Sequence, residues 1–390
     1  MRLLFVSHSL PPTGRPLDNL GGMQRVALKL HESLDARTTG NNALDYDALL
    51  LRSAWRTLHA KVPFFLAKAG WNIVRAARDE LVDVVLFSSM VTASLAAPLQ
   101  GVLRRHGVKT AAIVHGLDVT TPFPPYQWFV PKVLGALDAV LPVSRATRRA
   151  CLDRGATPDQ LQVVHNGIDV NRFRPPKDRD TDRDSLAQST GLPTPPAPPD
   201  ALLLCGVGRQ VKRKGTAWFV EAVMPRLPDN VHYWIAGDGP QSAPIKAAID
   251  RHDLSPRVRH LGRVSNDTLA DLYRGADLFV MPNVPVENDI EGFGIVMLEA
   301  GQCGTPTIAA QIDGIPDVIT EGVNGHLVPP KDPKAFVDAI ERYRGAPDAL
   351  EAAARRTLQH TEDTFGWSTV ADTYLSVVRS LHAEGRLPDT

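Results

Sequence analysis

Cysteine is scarce in this 390-residue sequence: Cys151, Cys205 and Cys303 stand far apart, each in or beside an apolar or small-residue segment. Such spacing makes neither a disulfide framework nor a metal knuckle, and it points to a reducing, cytoplasmic setting. Net charge is missing too. Lys plus Arg and Asp plus Glu each total 43, so global charge gives no reason to expect a nucleic-acid partner, and any attraction must come from a local patch. No apolar run is long enough to span a bilayer. The opening MRLLFVSHSLPP has an apolar core of only four residues, which reads as a first strand and not as a signal peptide. Catalytic signatures are absent as well. There is no Gly-x-Ser-x-Gly elbow, no cysteine with a motif-like histidine partner, no zinc cluster and no Gly-x-x-x-x-Gly-Lys-Ser/Thr phosphate loop, which argues against a nucleophilic hydrolase and a P-loop enzyme.

What is present is a repeated alternation of short apolar strands and amphipathic helices. A chain of this length exceeds the usual single core, so two domains are expected. Strands are expected at 2–7, 82–87, 110–114 and 139–142, with helices at 23–34 and 91–106. Residues 175–200, PPKDRDTDRDSLAQSTGLPTPPAPPD, mix alternating charge with a proline cluster and show no periodic apolar face, so they read as a linker. The alternation then restarts, with strands at 201–205, 232–236, 257–261, 278–281, 305–310 and 325–328. That pattern gives α/β architecture: two Rossmann-like, doubly wound parallel-sheet domains facing across a cleft. The boundaries fall at 1–174, 175–200, 201–365 and a terminal helical segment 366–390.

The richest stretch is Asn283–Ala310, NVPVENDIEGFGIVMLEAGQCGTPTIAA. A buried strand ends there in Glu291-Gly292-Phe293-Gly294, which turns the chain into a helix. Glu291 precedes that helix and Glu299 lies on its second turn, so both can face a crevice beyond the strand's carboxyl end, where open α/β sheets bind ligands. The amides of Gly294, Ile295 and Val296 form a helix N-terminus able to attract phosphate without a basic side chain. Upstream, Gly206-x-Gly208 follows a strand, but Val211 stands where a dinucleotide fingerprint needs glycine. Arg209 and Lys214 flank that loop as cations for a diphosphate or as a solvated basic turn. The Gly21-Gly22 pair permits either phosphate contact or a flexible turn. His115 ends a strand at the functional edge, Asn166-Gly167 marks a tight turn, and Ser144 is an N-cap in its simplest reading. The Asp-x-Asp spacings in the charged 175–200 run and at Asp45–Asp47 are discounted as metal ligands. The segment from Leu49 to Arg78, with its cations running from Arg52 to Arg78, is basic and interleaved with aromatics, without an acidic residue; it is read as a half-buried helix pair with a solvated basic face or as a membrane-surface element.

Taken in order, Gly21-Gly22, His115-Gly116, Asn166-Gly167-Ile168-Asp169, Gly208-Arg209 through Lys214-Gly215, Gly237-Asp238-Gly239-Pro240 and Glu291-Gly292-Phe293-Gly294 through Glu299-Ala300 resemble the family 4 retaining glycosyltransferases of the GT-B fold. The resemblance runs from Arg2 to about Leu381 and is weakest at 175–200. It implies that Arg209 and Lys214 hold a donor diphosphate, Glu299 accepts ribose hydroxyls and Glu291 binds the transferred sugar. Gly22, Gly239, Gly292, Phe293 and the backbone of Gly294, Ile295 and Val296 would complete the donor cradle. His115 would lie near the anomeric centre, contacting the sugar through backbone or ring. In many relatives aspartate directly follows this histidine; here Gly116 does, and Asp118 comes two residues later. Asp118, Ser144 and Asn166 are candidates for the acceptor side.

The implied reaction is sugar transfer from a nucleoside-diphosphate sugar to a glycan, glycolipid or small-molecule acceptor, with anomeric configuration retained and no cofactor or metal required. The relatives' terminal helix crosses back to the amino-terminal domain. A sugar-nucleotide epimerase and a catalytically silent nucleotide-sugar-binding subunit are the alternatives on the same plan, with an NAD oxidoreductase a distant further one. Peripheral membrane contact through the segment from Arg52 to Arg78 is the additional partner expected.

Overall fold

Short runs such as Val84-Val85-Leu86-Phe87 and Leu202-Leu203-Leu204-Cys205 are buried on both faces, which only a sheet covered by helices on each side satisfies. The computed structural model describes residues 1–12, 22–38, 44–53, 55–173, 178–191, 198, 201–287 and 289–388. Gly21 and the side chains of Trp55 and Arg56 lie outside that set. The chain divides into two compact units, Met1–Gly167 with Trp367–Thr390, and Ile168–Gly366.

In the first unit, β1 (Arg2–Leu10), β2 (Asp45–Arg52), β3 (Val84–Phe87), β4 (Lys109–Val114) and β5 (Ala139–Pro142) form a five-stranded sheet in the order β2-β1-β3-β4-β5. In the second, β6 (Leu202–Val207), β7 (Val231–Ala236), β8 (Val258–Gly262), β9 (Leu278–Met281), β10 (Thr307–Ala310) and β11 (Gly325–Val328) form a six-stranded sheet in the order β11-β10-β9-β6-β7-β8. Every strand pair is parallel. Two Rossmann-like parallel sheets are therefore present, as expected. In the second unit the order reverses between β6 and β9, so the loops after those two strands flank the switch point where such sheets bind ligands.

Four elements differ from expectation. Residues 45–52, partly read as helix, form edge strand β2, because Ala48 and Leu49 fall into register with Phe5 and Val6 of β1. Behind it runs one 24-residue helix, Trp55–Arg78, in place of a helix pair; it carries Pro63 internally on an exposed position and buries Leu58, Ala69, Ile73 and Ala77. The helix expected at 91–106 is split into Met90–Ala93 and Ala96–Arg105.

The fourth difference concerns 175–200, read as a linker. Residues Arg179–Thr190 form a helix capped by Asp178, whose side chain accepts from the Thr181 amide, and closed by left-handed Gly191. The helix belongs to the second unit. Its inward face is largely ionic, which is why no apolar period announces it. Leu186 and Ala187 are buried beside Asp182 and Arg183. Arg183 Nη2 donates to Asp277 Oδ2 at 2.7 Å, Arg179 Nε donates to Asp277 Oδ1 at 2.9 Å, and the Leu203 amide donates to Oδ2 at 2.7 Å. Asp277 thus ties the helix to the start of β6 and β9. At the other end, the Ile168 amide donates to Phe365 O at 2.7 Å and Ile168 bridges Gly366, so the segments that open and close the second unit are pinned to each other.

Removing one member of a buried ion pair strands the other. Asp277→Ala is expected to cost about 3–5 kcal/mol, whereas Arg179→Ala, with 43% of its side chain exposed, should cost less than about 1 kcal/mol. Urea-unfolding free energies of the two variants check this; equal losses would contradict the burial argument.

Candidate functional site

On the second unit, the loops after β6, β7 and β9 converge at the carboxyl edge of the sheet. The first two meet backbone to backbone. Gly237 stands at φ +120°, and a Cβ there would lie 2.0 Å from Gly208 O, so the contact requires glycine. Gln210 donates its amide to Asp238 O at 3.0 Å and accepts from the Gln241 amide at 2.9 Å. Gly239 packs against the Gln210 backbone, where a Cβ would lie 2.4 Å from its carbonyl oxygen. The β6 loop continues as a short 3-10 turn, Lys212–Lys214, and the Val284 amide donates to Arg213 O at 2.9 Å, joining it to the β9 loop.

Glu291 sits where those two loops meet. Its Oε2 accepts from Lys214 Nζ at 2.6 Å, from Arg213 Nη1 at 2.9 Å and from Asn283 Nδ2 at 3.3 Å. Arg213 Nε also donates to Asp289 Oδ1 at 2.9 Å, and the Glu291 amide donates to Asp313 Oδ2 at 3.0 Å. Burial alone would raise the Glu291 pKa, but Lys214 and Arg213 outweigh it and hold the group below the ordinary carboxylate value. Burial also lowers Lys214, with Glu291 opposing. The result is an ionised carboxylate. Among the described residues Oε1 accepts no hydrogen bond.

Next comes the helix Ile295–Gln302, whose N-cap is Gly294 at φ +88°, with no side-chain cap. A side chain at Gly294 would meet Met297 Cε at 2.6 Å. The Met297 amide is taken by Gly294 O at 3.0 Å, leaving Ile295 and Val296 as the half-buried first-turn residues whose amides have no intrahelical acceptor. Glu299, buried on the second turn, has Oε2 bonded by Tyr273 OH at 3.0 Å and Oε1 bonded by Arg172 Nη1. Phe293 is buried against Phe365, ring centroids 6.1 Å apart, which makes it an anchor for the turn. The Gly292 carbonyl lies where a Cβ on Gly314 would come within 2.3 Å. Arg209 is exposed and forms no ion pair among the described residues. The two cations singled out from the sequence therefore differ: Lys214 is committed to Glu291, and Arg209 is open.

The first unit carries a second set. His115, after β4, has Nε2 3.1 Å from Ser88 O; a carbonyl only accepts, so Nε2 bears the proton. Asp118 Oδ2 accepts from the His115 amide at 3.3 Å and the Met90 amide at 3.4 Å, and Tyr126 OH donates to Asp118 O. Burial raises the Asp118 pKa, with His115 opposing. Asp118 thus closes the turn that Gly116 opens. His8, at the end of β1, was not singled out from the sequence. It is buried, its Nδ1 lies 3.3 Å from Ser89 Oγ, and burial lowers its pKa to about 4, so it is neutral near pH 7. Ser144 is fully buried as an N-cap, accepting from the Thr147 amide at 3.1 Å. Asn166 is buried with Oδ1 unpaired among the described residues, and Gly22 is the exposed first residue of the helix Gly22–Asp35.

Sequence reading missed Arg172, Tyr273, Asn283, Arg213, Asp289 and Asp313. Arg213 and Asn283 lie inside stretches already under suspicion, whereas Arg172 and Tyr273 lie 127 and 26 residues from Glu299 and carry no local signal. Among the described residues, no group of three or more His, Cys, Asp or Glu is placed to hold a metal ion. The Lys214–Glu291 pair makes a direct test. Glu291→Gln should destabilise the protein by about 3 kcal/mol by leaving Lys214 buried and uncompensated. Adding Lys214→Met should cost less than the sum of the single changes; additive losses in a double-mutant cycle would rule out the coupling.

Comparison with known proteins matches residues 20–172 to the model described as Glycosyltransferase Family 4 and residues 201–344 to that described as Glycosyl transferases group 1. D-inositol 3-phosphate glycosyltransferase 1 of Catenulispora acidiphila is 30% identical over 310 residues, 76% of this chain and 70% of that protein. D-inositol 3-phosphate glycosyltransferase of Streptomyces bingchenggensis is 31% identical over 290 residues, 70% of this chain and 60% of that one, so this chain spans less than two thirds of that relative. Among solved structures, Anabaena Alr3699/HepE in complex with UDP superposes with a TM-score of 0.70 at 18% identity, covering 98% of this chain and all of that one. Sucrose-phosphate synthase from Thermosynechococcus elongatus gives 0.69 at 21%, with 98% of this chain and 100% of that chain covered. With both halves of the chain matched and two parallel-sheet units in place, the protein belongs to glycosyltransferase family 4 and has the GT-B fold.

Proposed function

We propose that this protein is a retaining glycosyltransferase that moves a sugar from a nucleoside-diphosphate sugar to a hydroxyl of a glycan, lipid-linked or small-molecule acceptor. The observation that carries the reading is the pair of ionisable carboxylates around one helix N-terminus. Glu291 is held ionised with Oε1 open, and Glu299 is fixed by Tyr273 and Arg172. Carboxylates accept hydroxyl hydrogen bonds, and the amides and a cation between them suit a diphosphate. In this reading Glu299 takes the ribose, Glu291 the transferred sugar, and Arg209 with the Gly294, Ile295 and Val296 amides takes the phosphates. Lys214 sets the charge of Glu291 and lies beside the leaving group. His115, at the carboxyl edge of the first unit's sheet, is that unit's candidate for the transfer chemistry.

The reaction passes through an oxocarbenium-like state. The nucleoside diphosphate leaves, and the acceptor hydroxyl attacks from the same face and loses its proton as the new glycosidic bond forms. Leaving-group charge is stabilised by preorganised donors without a metal. Relatives named for D-inositol 3-phosphate and neighbours solved with UDP or UDP-glucose support a nucleotide-sugar donor and make an inositol phosphate the first acceptor to try.

Incubation with UDP-, GDP-, ADP- and dTDP-sugars and an acceptor panel, with products assigned by NMR, tests the reading. The expected outcome is transfer with the donor's anomeric configuration, undiminished by excess EDTA. Conversion of the donor without acceptor, beyond slow hydrolysis, would establish an epimerase, binding without turnover a silent subunit, and inversion or loss of activity in EDTA would overturn the mechanism.

Peripheral membrane contact belongs to the same proposal. On the helix Trp55–Arg78, Phe64 and Trp71 are 81% and 72% exposed, and Lys61, Lys68, Arg75 and Arg78 are exposed with them. At 100° per residue these six side chains fall within about 100° of the helix circumference. Arg75 also pairs with Asp79 at 3.5 Å. Among the described residues no helix is long and apolar enough to cross a membrane. Aromatic wedges flanked by cations suit an anionic bilayer surface. The protein should co-sediment with phosphatidylglycerol vesicles at low salt and lose most of that binding in Phe64→Ala/Trp71→Ala; no sedimentation of the unaltered chain would remove the proposal.

A further inference from the structure

We infer that Arg172 is a positioning residue for nucleotide binding: it aims the Glu299 carboxylate so that the carboxylate can accept ribose hydroxyls. The inference rests on the reading of Glu299 as the ribose clamp. Only 4% of the Glu299 side chain is exposed, against 20% for Arg172, and buried polar oxygens need hydrogen-bond donors. Tyr273 OH meets Oε2 at 3.0 Å, and Arg172 Nη1 meets Oε1.

Neither donor is free to swing. The Tyr273 carbonyl accepts from the Thr305 hydroxyl at 2.6 Å. Its ring lies between Phe173 and Phe279, with centroids 5.8 and 6.0 Å away. The Arg172 guanidinium lies 4.5 Å over the Phe173 ring, a cation–π contact. One aromatic residue therefore supports both donors, and the segment that carries it is pinned at Ile168 to Phe365 and Gly366. A carboxylate offers about four lone-pair directions. Fixing a donor on each oxygen sets the plane of the remaining directions, and a vicinal diol needs acceptors in a defined plane. Arg172 is suited to this because its planar fork fixes orientation, whereas an ammonium supplies charge without it.

The test uses the full chain, Arg172→Met and Arg172→Lys, with dissociation constants for UDP, ADP and GDP against their 2′-deoxy counterparts. The unaltered protein should prefer its ribonucleotide by about tenfold or more, as expected for a hydrogen bond to a charged group. In Arg172→Met that ratio should fall towards one through loss on the ribonucleotide side, while 2′-deoxy affinity stays within roughly twofold; Arg172→Lys should restore part of it. An unchanged ratio in Arg172→Met, tighter ribonucleotide binding, or a parallel fall of both affinities in both variants with a lowered unfolding midpoint would overturn the role of Arg172 and leave Glu299 untouched. No discrimination by the unaltered protein, or no binding of any of the three, would instead overturn the ribose reading of Glu299 and this inference with it.

Discussion

The carboxyl edge of the second sheet is organised by the Lys214–Glu291 ion pair. Strands β6 and β9 are neighbours although 70 residues of chain separate them, and their exit loops carry opposite charges to one point. Burying either charge alone would cost several kcal/mol; together, with Arg213 and Asn283 on the same oxygen, they close the two loops over the switch point. Lys214 neutralises Glu291 without protonating it, so an ionised carboxylate can stand beside an anion site. In the proposed reading the charge facing a diphosphate comes from Arg209, which forms no ion pair among the described residues, and from the helix amides.

The first unit builds its edge differently. There the backbone does the holding: Ser88 O fixes the His115 ring, while the Asp118 carboxylate gathers the His115 and Met90 amides. Gly116, at φ +83°, lets the chain double back far enough for Asp118 to reach its own turn. The displaced aspartate is therefore a brace for the turn in this protein, while the ring is held separately by Ser88 O.

Most of the sheet plan was legible because buried parallel strands are apolar on both faces, and runs such as Val231–Ala236 carry that in four to six residues. The glycine turns were legible for a related reason, since close backbone approach at Gly237 excludes every side chain. Elements whose buried face is ionic escaped. The helix Arg179–Thr190 has no apolar stripe because Arg183 and Asp182 occupy its inward positions, and edge strand β2 is half-buried, so its composition resembles a helix face. Glu291 and Glu299 were visible from their place around one turn. Arg172 and Tyr273 were not, since their meaning lies in a partner reached only through the fold.

Buried carboxylates occur at both edges of the second sheet, and their hydrogen bonding distinguishes their roles. Asp277, at the amino edge, is closed: both oxygens are occupied by Arg179, Arg183 and the Leu203 amide. Those donors belong to the helix Arg179–Thr190 and to β6, so what Asp277 does is hold that helix on the sheet. Glu291, at the carboxyl edge, gathers three donors on Oε2 and, among the described residues, none on Oε1. A buried acceptor left open forgoes the stabilisation that a donor would supply, and the surrounding cations compensate by holding the charge in place. In the proposed reading a sugar hydroxyl arriving at Oε1 completes the set, and that one-sided hydrogen bonding is what separates Glu291 from Asp277, which has donors on both oxygens.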